Sequence, residues 1–275
     1  GATMMLLLRL LQAYKLPSGN IMFYAWNPLV IMEVVGNLHF EGLMLLGILG
    51  ALYALHRKKQ HWSGVAMGLA ISAKLIPLML VPAFFRYLGM RKWLLWSVVA
   101  GLVFVVTFLP FALGGFPASM LNSVDLYFRS FEFNASIFYL VRAIGFATVG
   151  YDIIQWSGPV LGVITAVTLL VLAFAKWGSS LPARMVVMLT CYYLLATTVH
   201  PWYIVTLVGL ATLSGHAYVM VWSFLVLLSY SHYFGGGFKE YYWVIALEYA
   251  LLLAAMVWNG KISRWIKMSY VNSGV

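Results

Sequence analysis

An all-α fold, a polytopic bundle of transmembrane helices, is what this sequence predicts, and three observations predict it. Of its 275 residues, 63% are hydrophobic and only 9% charged, more apolar surface than one soluble core of this size can hide. Hydrophobic runs of roughly 20 residues, the length that crosses a bilayer as a helix, recur from Met4 to Trp258. Stretches such as Trp156 to Ala175 are apolar on every face, whereas the strands of a membrane barrel alternate apolar and polar residues.

Taken in order, about nine spans are expected, at 3–13, 20–35, 40–55, 92–111, 156–175, 183–199, 203–214, 218–233 and 242–258. The first follows Gly1-Ala2-Thr3 with apolar residues already in progress and no start methionine or signal-peptide n-region. Residues 1–275 are therefore expected to be a single integral membrane domain, a fragment lacking N-terminal spans and a first outer loop. The lone cysteine, Cys191, excludes an intrachain disulfide.

The segment 62–85 is apolar but has basic flanks on both sides: Arg57, Lys58 and Lys59 before it, Arg86, Arg91 and Lys92 after it. A hairpin of two short limbs gathers these six residues with Lys15, Lys176, Arg184, Lys261, Arg264 and Lys267 on one side, and leaves Arg129, Arg142 and Lys239 on the other. A single span would divide the charges almost evenly. The positive-inside rule favours the hairpin, bent near Lys74 to Pro77, where proline removes a helix hydrogen bond. The net charge of +10 then reflects orientation in a membrane, so nucleic acid is not an expected partner. The same topology puts 36–39 and the long connection 114–155 on the outer side. Within that connection, 133–148 has the spacing of a helix lying in the interface plane.

Ionisable residues inside spans cost about 2.5–3.5 kcal/mol each on insertion scales, so each needs a partner, a wet cavity or a function. The densest group lies in WNPLVIMEVVGNLHFEG, which places Glu33, Asn37, His39 and Glu41 at the outer end of two consecutive spans. Glu33, Asn37 and Glu41 have the i, i+4 spacing of one helix face, although Gly36 is a natural stop. These residues either line an outward-facing polar cavity, or Glu33 bonds a backbone group while His39 and Glu41 are solvated loop residues. Two carboxylates and one imidazole fall short of a dedicated zinc site, so neither a metal nor another cofactor is expected.

Lys74, in AISAKLIPLMLVP, sits at the bend of the hairpin. An ammonium at that depth calls for an anion such as a lipid phosphate, against the alternatives of snorkelling or pairing with Glu33. Further along, NSVDLYFRSFEFNAS spaces Asp125, Arg129 and Glu132 like a helix face, followed by Asn134. In TTVHPWYI, His200 precedes Pro201, Trp202 and Tyr203 at the outer end of a span. Structural capping and cavity lining both account for these groups. Gly-rich phosphate loops, Cys-x-x-Cys pairs and nucleophile elbows are missing from the sequence, which leaves soluble-type nucleotide, zinc and acyl-transfer chemistry without support.

The succession of WNPLVIMEVVGNLHFEG, a basic loop, GLAISAKLIPLMLVP, FEFNAS and TTVHPWYI resembles the bacterial polyprenyl-phosphate-dependent mannosyltransferases of the GT-C superfamily. It is more distantly similar to the enzyme that adds the first mannose to glycosylphosphatidylinositol anchors. The resemblance implies an inverting transfer of a hexose, mannose above others, from a polyprenyl-phosphate donor to a lipid or glycan acceptor on the outer face of the bacterial cytoplasmic membrane. It implies that Lys74 contacts the donor phosphate, with Arg129 and His200 as further candidates. Glu33, His39 and Glu41 become catalytic-site candidates, and Asn37, Glu132, Asn134, Trp202 and Tyr203 candidates for the substrate cavity. In that family the acid credited as general base lies in the first outer loop, upstream of this sequence. Two competing readings are a carrier or flippase using Lys74, Glu33 and His39, and a structural subunit whose polar residues join helices. Concentration of the polar groups at one face, with a single hairpin, favours the enzyme.

Overall fold

A computed structural model of the protein describes residues 1–114, 116–176 and 180–272. Gly115, within the expected outer connection, lies outside the described residues, as do the side chains of Lys261, Arg264 and Lys267. The described chain is a helical membrane bundle. Its extended pairing is one isolated parallel bridge between Phe133 and Thr198.

The long helices are α1 (Ala2–Ala13), α2 (Glu41–His56), α3 (Gln60–Ala73), α4 (Met90–Phe108), α5 (Phe116–Arg129), α6 (Ile137–Val149), α7 (Ile154–Phe174), α8 (Leu181–Leu195), α9 (Ile204–Ala211), α10 (Tyr218–Leu225) and α11 (Tyr242–Asn272). By length and composition, three described stretches can cross a membrane alone: Met90–Ala112, Ile154–Phe174 and Tyr242–Asn259. A fourth forms if Pro28–Gly36 and Glu41–His56, bent by 108°, count as one span. The remaining expected spans are shorter or interrupted. The expected span 203–214 is a 3-10 turn (Pro201–Tyr203) followed by α9, and 218–233 is α10 continued by a 3-10 segment (Val226–Tyr233). Hydropathy registers an apolar run whether or not its backbone stays α-helical, so these breaks were invisible to it.

Small residues set the packing at the hairpin. A Cβ added to Gly47 would come within 2.7 Å of the Ala70 side chain, and Ser63 donates to the Ala51 carbonyl at 2.8 Å, so α2 and α3 are antiparallel. Gly64 and Gly68 lie against the carbonyls of Trp96 and Ala100 respectively, so α3 and α4 run parallel. Close backbone approach through such residues is how helices associate where lipid is as apolar as the side chains. Parallel α3 and α4 require the intervening chain to run back along the bundle. It does so as a 3-10 segment, Ile76–Phe84, and a short helix, Phe85–Leu88, with Phe84 stacked on Trp96 at 4.2 Å. The predicted hairpin is therefore present, and its turn holds Lys74.

The connection 114–155 is less open than expected. It contains α5 and α6, with α6 beginning at Ile137 rather than at residue 133. Phe133 is extended instead: its N–H donates to Thr197 O at 3.1 Å and its carbonyl accepts from Val199 N at 2.8 Å. This ties the connection to the segment before His200.

Candidate functional site

The site is built where helices break. Asn27 caps the turn Pro28–Val30, accepting from Leu29 N at 3.0 Å and Val30 N at 3.4 Å, while its amide donates to Ser223 at 2.8 Å. The helix then widens to a π-helical turn, Ile31–Gly36, closed by Asn37 N to Met32 O at 2.8 Å. Leu38 takes a positive φ of 55°, and α2 leaves at the 108° bend. The expected common face of Glu33, Asn37 and Glu41 is consequently split. Asn37 stays with Glu33, donating to Oε2 at 3.0 Å, and Glu41 turns away into the first turn of α2, where a carboxylate suits the helix dipole.

Glu41, 1% exposed, pairs with Lys74, which lies in an extended conformation at the end of α3. Of the pairings open to Lys74 in the sequence, the one with Glu33 is not formed. The Lys74 ammonium also lies 4.2 Å from the Tyr203 ring centroid, a cation–π contact. Its side chain retains 27% exposure, so the cation is held but still reachable. Glu33 is fully buried; it accepts from the Tyr230 hydroxyl and lies 3.4 Å from His39 Nε2.

Aromatic rings join these pieces. Trp202 is stacked between His39 at 4.1 Å and His200 at 4.3 Å. Phe133 continues the stack on His200 at 4.7 Å. The two imidazoles thus flank one indole, and the neighbouring Tyr203 carries Lys74. Eight of the residues singled out in the sequence (Glu33, Asn37, His39, Glu41, Lys74, His200, Trp202 and Tyr203) converge here.

Arg129 and Glu132 do not join them through any described contact. Arg129 pairs with Asp125 at 2.7 Å, both largely exposed, and Glu132 pairs with Arg142 at 3.2 Å. Arg142 also bonds Asp152 at 2.7 Å and Tyr242 at 2.5 Å. The expected helix face of Asp125, Arg129 and Glu132 is interrupted because α5 ends at Arg129. Burial raises the Glu132 carboxyl to about 7, with Arg142 acting in the opposite direction.

Asn134 belongs to a second polar network that sequence reasoning missed. With a positive φ of 46°, it donates its backbone N–H to Glu240 at 2.9 Å and its side-chain amide to Glu248 at 3.1 Å. Its carbonyl accepts from Tyr249 at 2.7 Å, Trp222 donates to the other Glu248 oxygen at 3.1 Å, and Tyr139 donates to Glu240. Glu248 was detectable: an acid inside the expected span 242–258 meets the same criterion that singled out Glu33. This network fixes Phe133 and hence the far end of the ring stack. Among the described residues, no group of His, Cys, Asp and Glu has the arrangement of a metal site.

Chemically, the cluster offers one reachable cation for an anionic group, a carboxylate–imidazole pair for proton handling, and flat rings that suit a sugar face. The family model of Glycosyltransferase family 87 matches residues 1–201. No curated protein and no solved structure matches the chain.

Proposed function

The chain belongs to Glycosyltransferase family 87, and from that premise we propose that it transfers a hexose, mannose, from a polyprenyl-phosphate donor to a lipid or glycan acceptor at the outer face of the cytoplasmic membrane. Family membership supplies a sugar donor and an acceptor and favours the enzyme over the carrier and the structural subunit. The observation that carries the finer reading is Lys74, set at a helix break, buried on one side by Glu41 and Tyr203 and reachable on the other.

In this reaction the acceptor hydroxyl attacks the anomeric carbon from the side opposite the phosphate. The C–O bond to the phosphate breaks, its electron pair leaves with the phosphate, and the configuration inverts. Lys74 balances the charge gained by the departing phosphate, and His200, near it along the ring stack, is the second donor toward that anion. Glu41 orients the ammonium. Glu33 and His39, 3.4 Å apart, position the acceptor and support the general base, which the family resemblance puts in the first outer loop, and Trp202 supplies a stacking face.

The test is transfer of radiolabelled mannose from polyprenyl-phosphate mannose in membranes holding the full-length protein. Lys74→Met is expected to lower the rate about 100-fold or more, the effect of removing one charge-stabilising donor, and Glu41→Gln to lower it less. Full activity in Lys74→Met removes this lysine from the phosphate site. A folded protein that uses neither mannose nor glucose donors refutes the donor assignment.

A further inference from the structure

A cavity of about 1130 Å³ lies away from the site, between the far ends of α1, α2, α8, α9 and α10. Helix α2 connects the two places: Glu41 opens it inside the candidate site and His56 closes it on the cavity wall. The first and last of its 16 residues are about fifteen rises of 1.5 Å, roughly 22 Å, apart. The volume exceeds the 300–1,000 Å³ typical of small-molecule pockets, and its walls are mixed. Leu52, Leu55 and Met220 are apolar, whereas Tyr14, His56 and His216 bring hydrogen-bonding groups. Tyr14 and His56 meet edge to face at 5.7 Å.

Charge makes the place distinctive. None of the seven carboxylates in the sequence lines the cavity. Glu33 and Glu41 belong to the candidate site, Asp125 pairs with Arg129, and Glu132, Asp152, Glu240 and Glu248 belong to the contacts around Arg142 and Asn134. Cations are adjacent in the chain to wall residues: Lys15 follows Tyr14, Arg57 follows His56, and Arg86 precedes Tyr87. Arg184, which bonds Tyr87, is buried and donates to the Ala173 and Ala175 carbonyls at 3.1 Å, so it belongs to the packing rather than to the cations open to a ligand. A cavity with apolar walls, tyrosine and histidine groups, no lining carboxylate, and the exposed cations Lys15, Arg57 and Arg86 each one position from a wall residue matches an amphiphile with an anionic headgroup.

We propose that this cavity is a binding site for an anionic phospholipid, separate from the sugar-transfer site. The exposed cations Lys15, Arg57 and Arg86 take the headgroup phosphate, and an acyl chain lies along Leu52, Leu55 and Met220. The occupant is an intact lipid rather than free phosphate, because most of the wall is apolar and would gain nothing from a small ion.

The test uses the purified full-length protein in nanodiscs of equal phosphatidylglycerol and phosphatidylcholine, with photoreactive analogues of each and mapping of the labelled peptides. Phosphatidylglycerol is expected to label the peptides holding Tyr14, His56 and His216 at least fivefold more than phosphatidylcholine. Ala217→Trp, which fills the cavity, should reduce this labelling at least fivefold. The exposed double substitution Lys15→Gln with Arg57→Gln leaves the packing untouched and should erase the preference between the two lipids. Equal labelling by both lipids, labelling unaffected by either variant, or crosslinks from the wall to another protein segment would overturn the proposal. Mannose transfer plays no part in this readout, so its outcome is independent of the proposed activity.

Discussion

Two polar networks share one end of this bundle, and they use carboxylates in opposite ways. Around Lys74, the acids meet a cation and an imidazole, and Lys74 and His39 keep 27% and 30% exposure. Around Asn134, Glu248 is fully buried and satisfied by neutral donors from Trp222 and Asn134. An acid inside a membrane protein needs partners in either case. What separates the candidate site from the sealed network is whether the partners leave a charged group open to an incoming molecule.

That contrast predicts different phenotypes. The largest effect expected is on rate: Lys74→Met should abolish most transfer, and because it leaves the buried Glu41 carboxylate without its cation, the double change Lys74→Met with Glu41→Gln should keep the thermal midpoint nearer that of the parent while transfer stays lost. Glu248→Ala should act on stability, stranding the buried Asn134 amide and Trp222 indole donors at about 1–3 kcal/mol each, read as a lower unfolding midpoint in detergent. Should Glu248→Gln instead fold normally and lose transfer, the division between reachable and sealed acids fails. A smaller loss, about 1 kcal/mol, is expected for Asn27→Ala, which removes the cap of the turn leading to Glu33.

The smallest effect concerns pH. Glu132 titrates at about 7 against an ordinary 4.5, chiefly through burial. Its folded-state value is raised, so the folded protein binds the extra proton between those values and stability falls as pH rises through them. The thermal midpoint should decline modestly from pH 5 to pH 8, and Glu132→Gln should flatten that decline. An unchanged slope in the variant would assign the dependence to another group.

Much of the site was legible as local anomaly. Glu33, His39, Glu41 and Lys74 stand out because charged residues in apolar runs are costly, and the hairpin followed from the basic residues flanking 62–85. Arg129 looked equally eligible on those terms. Its pairing with Asp125 one helical turn away shows that an arginine in a connection can be explained by a local partner. Tyr230 had no signal at all, since it reaches Glu33 across 197 positions of sequence and a tyrosine near a membrane boundary is ordinary.

By itself, the sequence determined the membrane-helical class, the hairpin and the concentration of costly polar groups at one end. Those properties depend on composition, periodicity and the position of charges along the chain. Only the tertiary structure decided which partner each group takes. The π-helical turn and the 108° bend rotate Glu41 away from Glu33 and toward Lys74, and the Phe133–Val199 pairing brings a distant ring onto His200. Pairing energies fall off within a few ångströms, so backbone breaks that hydropathy does not register determine which charges meet.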